Sequence, residues 1–399
     1  MSWSTKSLDE LGTVSRGRSR HRPRDAAHLY GGPYPFVQTG DVKRAGLYLT
    51  EYSQTYSDEG LAQSKLWPSG TLCITIAANI ADTSILAIDA CFPDSVIGFI
   101  PDPRKSDARF IKYLFDAALK LQYRQVSQGA AQDNLSQGKL LALKFSVPDD
   151  VNEQIRIADF IATYDDLIEN NRRRIQLLEE SARLLYQEWF VRLRFPGHEQ
   201  AKIIDGVPEG WERTTADKVM NILSGGTPKT KMPEFWNGGI PFFTPKDAKG
   251  LFTHDTEKTI TELGLSKCNS HLYPKYTVFI TARGTVGKLS FAQRPMAMNQ
   301  SCYALIAKDG ISQEFLYSSL KASIDQFKAR ASGAVFDAIV VDTFKDIPFL
   351  IPGPALRDEF TKQVKLLFNQ VDNLSIQNIK LAQARDLLLP KLMSGELAV

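Results

Sequence analysis

The apolar positions change rhythm along the chain. Up to about residue 147 they come in short β-type runs such as "TLCITIA" from Thr71, and the same texture returns later in "YTVFITA" from Tyr276, each run bounded by Gly and Pro. Between Asp149 and Phe190 there is neither Gly nor Pro. Here Ile157, Ile161, Tyr164, Ile168, Ile175, Leu178, Ala182, Leu185 and Trp189 follow the steps of three and four of a coiled-coil seam, with Asn171 filling the one missing position. A second seam runs through Phe360, Val364, Leu367, Val371, Leu374, Leu381, Leu388 and Leu392, with Asn378 and Arg385 at its polar positions. Pro390 predicts an end or a kink in the last turn of this helix, and so a second helix shorter than the first. Roughly forty helical residues span about 60 Å, more than a small domain can cover. The pattern therefore predicts two long helices paired antiparallel, with the globular parts at opposite ends. The alternative is that each helix folds back on its own domain.

The rhythm is written twice. "YPFVQTGDV" (34–42) matches "IPFFTPKDA" (240–248), with Asp41 and Asp247 offset by 206. The same offset aligns Pro68 with Pro274 and Thr75 with Thr281. "GAAQDNLSQGKLLALKFSVP" (129–148) matches "GAVFDAIVVDTFKDIPFLIP" (333–352) at an offset of 204, as does "RIQLLEESARLLYQ" (174–187) with "NIKLAQARDLLLPK" (378–391). Even the opening "MSWSTKSLDELGTVSRG" is echoed by "DGVPEGWERTTADKV" at Asp205. Order and spacing persist over nearly the whole chain, which identifies a tandem duplication. The predicted fold is α+β: a first globular domain at 1–147, a central helix at 148–195, a linker and second domain at 196–350, and a C-terminal helix at 351–399.

Composition narrows this only a little. At 399 residues the chain exceeds one typical core. A net charge of +3 permits a local basic patch for nucleic acid without requiring one. No stretch approaches the roughly 18 apolar residues of a membrane span, and "MSWSTKSLDE" lacks an apolar export region, so a cytoplasmic location is expected. Cys73, Cys91, Cys268 and Cys302 form no C-x-x-C pair, and the five histidines show no metal spacing. "SGGTPKTK" (224–231) fails the phosphate-loop pattern, and no N-P-P-[FY] methyltransferase motif occurs. Asp41-Val42-Lys43 and Asp247-Ala248-Lys249 have the D-x-K form of metal-dependent nucleases, but that chemistry needs a second carboxylate converging on Mg²⁺.

Two similar, diverged domains on a rigid spacer suit duplex DNA, whose features on one side recur about every 34–36 Å. The densest basic run, "SRGRSRHRPR" (15–24), offers Arg16, Arg18, Arg20 and Arg22 for phosphates or guanine edges. Its counterpart offers Gly226, Thr227, Lys229, Thr230 and Lys231, the glycine permitting close backbone approach to a phosphate. "TARGTVGK" supplies Arg283, Thr285 and Lys288 where "TIAANIADT" has Asn79 and Thr83. Gln38, Thr39 and Lys43 face the counterparts Thr244, Lys246 and Lys249. Solvated surface loops are the plain alternative for each.

The order of domain, long helix, domain, long helix, together with "GTP" early in a half, "IPFFTPKD", "ITARGTVGK" and the C-terminal "LLLPKLMSGEL", resembles the DNA-specificity subunit of type I restriction-modification enzymes over essentially all of the chain. The resemblance implies a non-catalytic protein in which each domain reads half of a bipartite, asymmetric DNA target. It implies spacer helices that dock two methyltransferase subunits, with Asn171, Arg172, Arg173 and Arg174 as candidate docking residues. Translocase/endonuclease subunits complete such a complex. S-adenosylmethionine, ATP and Mg²⁺ are then expected on the partner subunits and no cofactor in this chain. A stand-alone nuclease, or a specificity protein serving another phage-defence methylase, is the alternative.

Overall fold

A computed structural model describes residues 2–77, 80–126, 135–331 and 338–399, the side chains of 119–126 excepted. It divides into two compact units, residues 1–170 with 377–399, and residues 171–376. Each unit contains an equivalent five-stranded sheet, a smaller sheet of four strands in the first unit and three in the second, and a closing strand pair; the second unit adds a short pair, Ile203–Ile204 with Val207–Pro208. In the first, a five-stranded sheet runs Gly12–Arg16, Val96–Pro101, Leu72–Thr75, Thr83–Leu86, Tyr48–Leu49, antiparallel except for its parallel last pair. In the second, Met220–Ser224, Cys302–Ala307, Val278–Thr281, Leu289–Ala292 and Phe252–Thr253 repeat that order and that parallel edge. A smaller sheet centred on Tyr30–Phe36, or on Trp236–Phe243, packs beside it. Trp3–Lys6 pairs with Phe145–Pro148, and Glu212–Thr215 with Pro348–Ile351. The echo between the chain's opening and its restart at Asp205 is thus the same closing strand, used once per unit.

The central strands read as continuous apolar runs because both faces of the sheet are covered. Side chains alternate across a strand. Leu72 and Ile74 therefore join a core with Phe110, Phe115, Ile157 and Ile161, while Cys73 joins Trp67, Phe92 and Val96 on the other face. In the second unit Val278 and Ile280 face the helices, and Phe279 faces Phe243 and Met298.

The two long helices are Val151–Tyr186, continued by a π-type turn at Gln187–Val191, and Pro354–Met393. In the first unit the start of the central helix, through Ile157 and Ile161, shares a core with the end of the C-terminal helix, through Leu389, Leu392 and Met393. In the second, Ala182, Tyr186, Trp189 and Phe190 share a core with Phe360, Val364, Phe368 and Val371. Start meets end in both, so the pairing is antiparallel. The helix halves also cover the sheets of their units, which is why the compact units divide both helices mid-length rather than at 147, 195 and 350. Buried positions correspond at an offset of 203: Ile157 with Phe360, Ile161 with Val364, Ile168 with Val371, and Trp189 with Leu392. The seams obey this offset throughout, one less than the 204 of the segment match.

Pro390 does not shorten the second helix. That helix runs 40 residues against 36 for the first α-helical stretch, and it continues past Pro390 to Met393. Three residues from the end, a missing N–H removes one intrahelical bond only, and the Pro390 carbonyl still accepts from the Ser394 amide at 3.0 Å.

Candidate nucleic-acid interface

In each unit one short turn links two strands and gathers the predicted segments. In the first unit it is Pro93–Ser95, between Ala90–Cys91 and Val96–Pro101. The Arg16 guanidinium donates twice to the Asp94 carbonyl, at 2.9 and 2.7 Å, and Arg24 grips the Asp94 carboxylate with both distances 2.9 Å. A Cβ on Gly17 would fall 2.3 Å from the Pro93 carbonyl oxygen, so only glycine lets the loop lie this close. The Ile76 amide donates to the Ser95 carbonyl at 3.0 Å.

In the second unit the equivalent turn is Asn299–Ser301, offset by 206. A Cβ on Gly225 would fall 2.3 Å from the Asn299 carbonyl oxygen, the same close approach as at Gly17. The Thr227 hydroxyl bonds the Gln300 side chain. The amides of Ala282 and Arg283 donate to the Ser301 carbonyl at 2.8 and 3.3 Å, and the Asn299 amide donates to the Phe243 carbonyl at 3.0 Å. Three segments distant in sequence, 225–231, 243–249 and 281–288, therefore converge on one turn. Sequence reasoning missed this turn. Its signal was the offset of 206 that sets Asp94 against Gln300 between matched strands.

Several predicted residues are in the exposed positions that DNA contact requires. Thr227, Lys229, Thr230, Lys231, Lys246, Lys249, Arg283, Thr285 and Lys288 are all exposed. None of their cationic side chains is in an ion pair among the described residues. Arg18 donates to the Ser64 carbonyl at 2.9 Å, and Arg22 donates to the carbonyls of Ser19 and His21 at 2.9 and 2.8 Å. These guanidinium groups order the loop through neutral acceptors and so keep their charge. The Arg20 side chain is exposed, while its backbone amide is held by the Gln63 side chain at 2.5 Å. Gln38 and Thr39 open a short helix, Thr39–Arg44, that carries exposed Lys43. Thr244 is half-buried and its hydroxyl donates to Asp247 at 2.7 Å.

Four expectations need correction or fall outside the structure. Thr83 is buried, and its hydroxyl donates to Asp116 at 3.1 Å, so it faces the core and not DNA. Gly226 does not offer its backbone to a phosphate: its N–H donates to the Met298 carbonyl at 3.1 Å, and a Cβ there would lie 2.7 Å from the Asn269 nitrogen. Asn171 is buried on the central helix, which removes it as a docking contact, whereas Arg172, Arg173 and Arg174 are exposed. Asn79 lies outside the described residues.

The duplicated aspartates of the D-x-K triplets are structural. Asp41 accepts from the Gln38 amide at 2.8 Å and pairs with Arg44. Asp247 accepts from the Thr244 amide at 2.8 Å and the Glu257 amide at 2.9 Å. Both carboxylates tie the loop after the Pro-Phe strand back onto itself, which accounts for their recurrence without metal chemistry.

A family model described as "Type I restriction modification DNA specificity domain" matches residues 1–180 and again 208–383. The chain belongs to this family. Among its relatives, the Type I restriction enzyme MjaIX specificity subunit of Methanocaldococcus jannaschii is 27% identical over 195 residues, 48% of this chain and 45% of the relative. The match thus spans a little under half of that relative's length. The HindI specificity subunit of Haemophilus influenzae is 27% identical over 319 residues, covering 64% and 69% of the two chains. The crystal structure of the type I restriction-modification S subunit from M. genitalium shares the fold, with a TM-score of 0.58 at 18% identity over 98% of this chain and 96% of that one. Both relatives are named as specificity subunits of type I restriction enzymes. Among the described residues no helix is long and apolar enough to cross a membrane.

Proposed function

We propose that this specificity subunit reads a bipartite, asymmetric duplex DNA target, each unit reading one half-site from the loops around its central turn. The observation that carries the reading is that one framework recurs in both units with different chemistry on it: Asp94 with its arginines in the first, Gln300 with Thr227, Lys229 and Lys231 nearby in the second. Exposed lysines and arginines neutralise phosphates whatever the sequence, while side chains with unlike donor and acceptor patterns discriminate bases. Two such readers require unlike half-sites.

In this reading Lys229, Lys231, Lys246, Lys249 and Lys43 hold the backbone, and Arg18, Arg20, Gln38, Thr227, Arg283 and Thr285 approach base edges. The paired helices set the gap between half-sites and dock two methyltransferase subunits, with exposed Arg172, Arg173 and Arg174 among the contacts. S-adenosylmethionine, ATP and Mg²⁺ belong to the methyltransferase and translocase/endonuclease subunits, and the complex works in the cytoplasm. Single-molecule methylation sequencing of the host genome, with the gene present and deleted, tests this. A methylated bipartite motif with two unlike halves and a fixed gap should vanish on deletion. Identical methylation in both strains would overturn the reading.

A further inference from the structure

The two units differ at one matched place beside the helices. Their cores align at an offset of 205 along the domain helix, Phe110 with Phe315 and Ile111 with Leu316, and at 203 along the long helices. In the first unit these offsets bring together Tyr113, Asp165 and Arg385. The Tyr113 hydroxyl donates to Asp165 at 2.7 Å, and Arg385 forms an ion pair with the same carboxylate. The matched positions in the second unit are Ser318, Phe368 and Ala182. All three line a cleft of about 400 Å³. Where the first unit has a phenol and a guanidinium, the second has open volume.

The cleft keeps the chemistry to receive what is missing. Phe368, Tyr317 and Leu251 give it aromatic and aliphatic walls. Glu179, on the central helix, reaches it half-buried, and no cation lies within ion-pair distance of its carboxylate among the described residues. Burial raises the proton affinity of Glu179, against the lowering effects of Lys321 and the Leu251 backbone. Of the other rim charges, Arg183 pairs with Glu180 and Asp325 lies 4.0 Å from Lys328, while Lys321 is exposed, in no ion pair among the described residues, and acts on Glu179 only from beyond ion-pair distance. On the same helix Leu177 and Leu184 stay 68% and 42% exposed. A protein surface would cover that apolar flank, while a free small molecule would leave it wet.

We propose that this cleft receives an arginine side chain from a partner polypeptide, its guanidinium on Glu179 and its stem along Phe368, in place of the arginine that the first unit supplies from its own chain. A planar, weakly hydrated guanidinium stacks on aromatic walls and grips a carboxylate with two N–H groups, which an ammonium cannot do. The source is the methyltransferase subunit, and this half of the inference rests on the function proposed above. One unit is thus filled from within and the other from outside, so the two docking sites on the subunit are not equivalent.

The test has two arms. N-acetylarginine amide, titrated calorimetrically into the full chain, should bind saturably. Glu179→Gln and, separately, Ala182→Arg should each weaken it at least tenfold, and N-acetyllysine amide should bind at least fivefold more weakly. Absence of saturation, or equal affinity for Glu179→Gln, overturns the cleft. In the second arm, Glu179→Gln should weaken assembly with the purified methyltransferase at least tenfold. Unchanged assembly by a variant that no longer binds the arginine amide overturns the methyltransferase as source. Failure of the wild-type chain to assemble at all would count against the proposed function, while the amide titration would still decide the cleft.

Discussion

Replacing Arg385 by Met should destabilise the first unit and leave the second unchanged. The Asp165 side chain is 11% exposed and that of Arg385 25%, so the pair is largely withdrawn from water. Two unit charges about 4 Å apart at an effective dielectric near 20 attract by about 4 kcal/mol, and stranding one partner of a buried pair costs about 3–5 kcal/mol. Asp165 retains the Tyr113 hydroxyl at 2.7 Å, which offsets part of the loss. Asp386, also paired with Arg385 but 64% exposed, adds almost nothing. Allowing for the quarter of Arg385 that water reaches, the expected loss is about 2–4 kcal/mol. Met preserves the apolar stem, so a cavity does not inflate the value. Urea unfolding monitored by hydrogen-exchange mass spectrometry separates the units, because peptides from 151–170 report one and those from 354–376 the other. Asp165→Asn combined with Arg385→Met should recover more than half of the loss. Stability of the single variant within about 0.5 kcal/mol of wild type, or strict additivity in the double variant, would refute the buried-pair account.

Three further outcomes follow from the geometry. Gly225→Ala should cost about 1–3 kcal/mol, since its Cβ meets the Asn299 carbonyl at 2.3 Å, while Gly239→Ala, with nothing within 4 Å, should stay within about 0.5 kcal/mol; thermal unfolding of the two variants compares them directly. Glu10 has its pKa pushed down to about 2 by hydrogen bonds from the Ser7 backbone and hydroxyl and by Lys144. A depressed carboxylate stabilises the fold above its unfolded pKa, and this contribution is lost as pH falls through that value toward 2, so Ser7→Ala should raise the Glu10 pKa in an NMR titration. Reversing Lys229 and Lys231 to Glu should weaken DNA binding uniformly across sequences and reduce the slope of log affinity against log salt by about 2 or more, whereas Arg283→Ala should relax preference at one half-site.

Much of this was legible in the chain. The helical seams were visible because steps of three and four leave a pattern that Gly and Pro do not interrupt. The polar position at Arg385 was legible too, although its partner Asp165 lies off the seam and only the fold reveals it. Duplication was readable because the turns and apolar strands recur at nearly constant offset. The hub turns at 93–95 and 299–301 were harder to read, because most of their contacts run through backbone carbonyls, and in the sequence only the matched offset of Asp94 and Gln300 marks them. Thr83 and Gly226 misled for a related reason. A polar hydroxyl or a glycine pair looks like a ligand contact until its intramolecular partner is known. The helix-breaking chemistry of Pro390 weighs little because the residue lies in the last turn of its helix.

The central claim, that the units read DNA independently, is tested most directly by replacing residues 1–145 with the corresponding domain of another specificity subunit and sequencing the methylated sites. The account predicts that one half of the motif changes while the other half and the gap stay as they were. A change in both halves would contradict it.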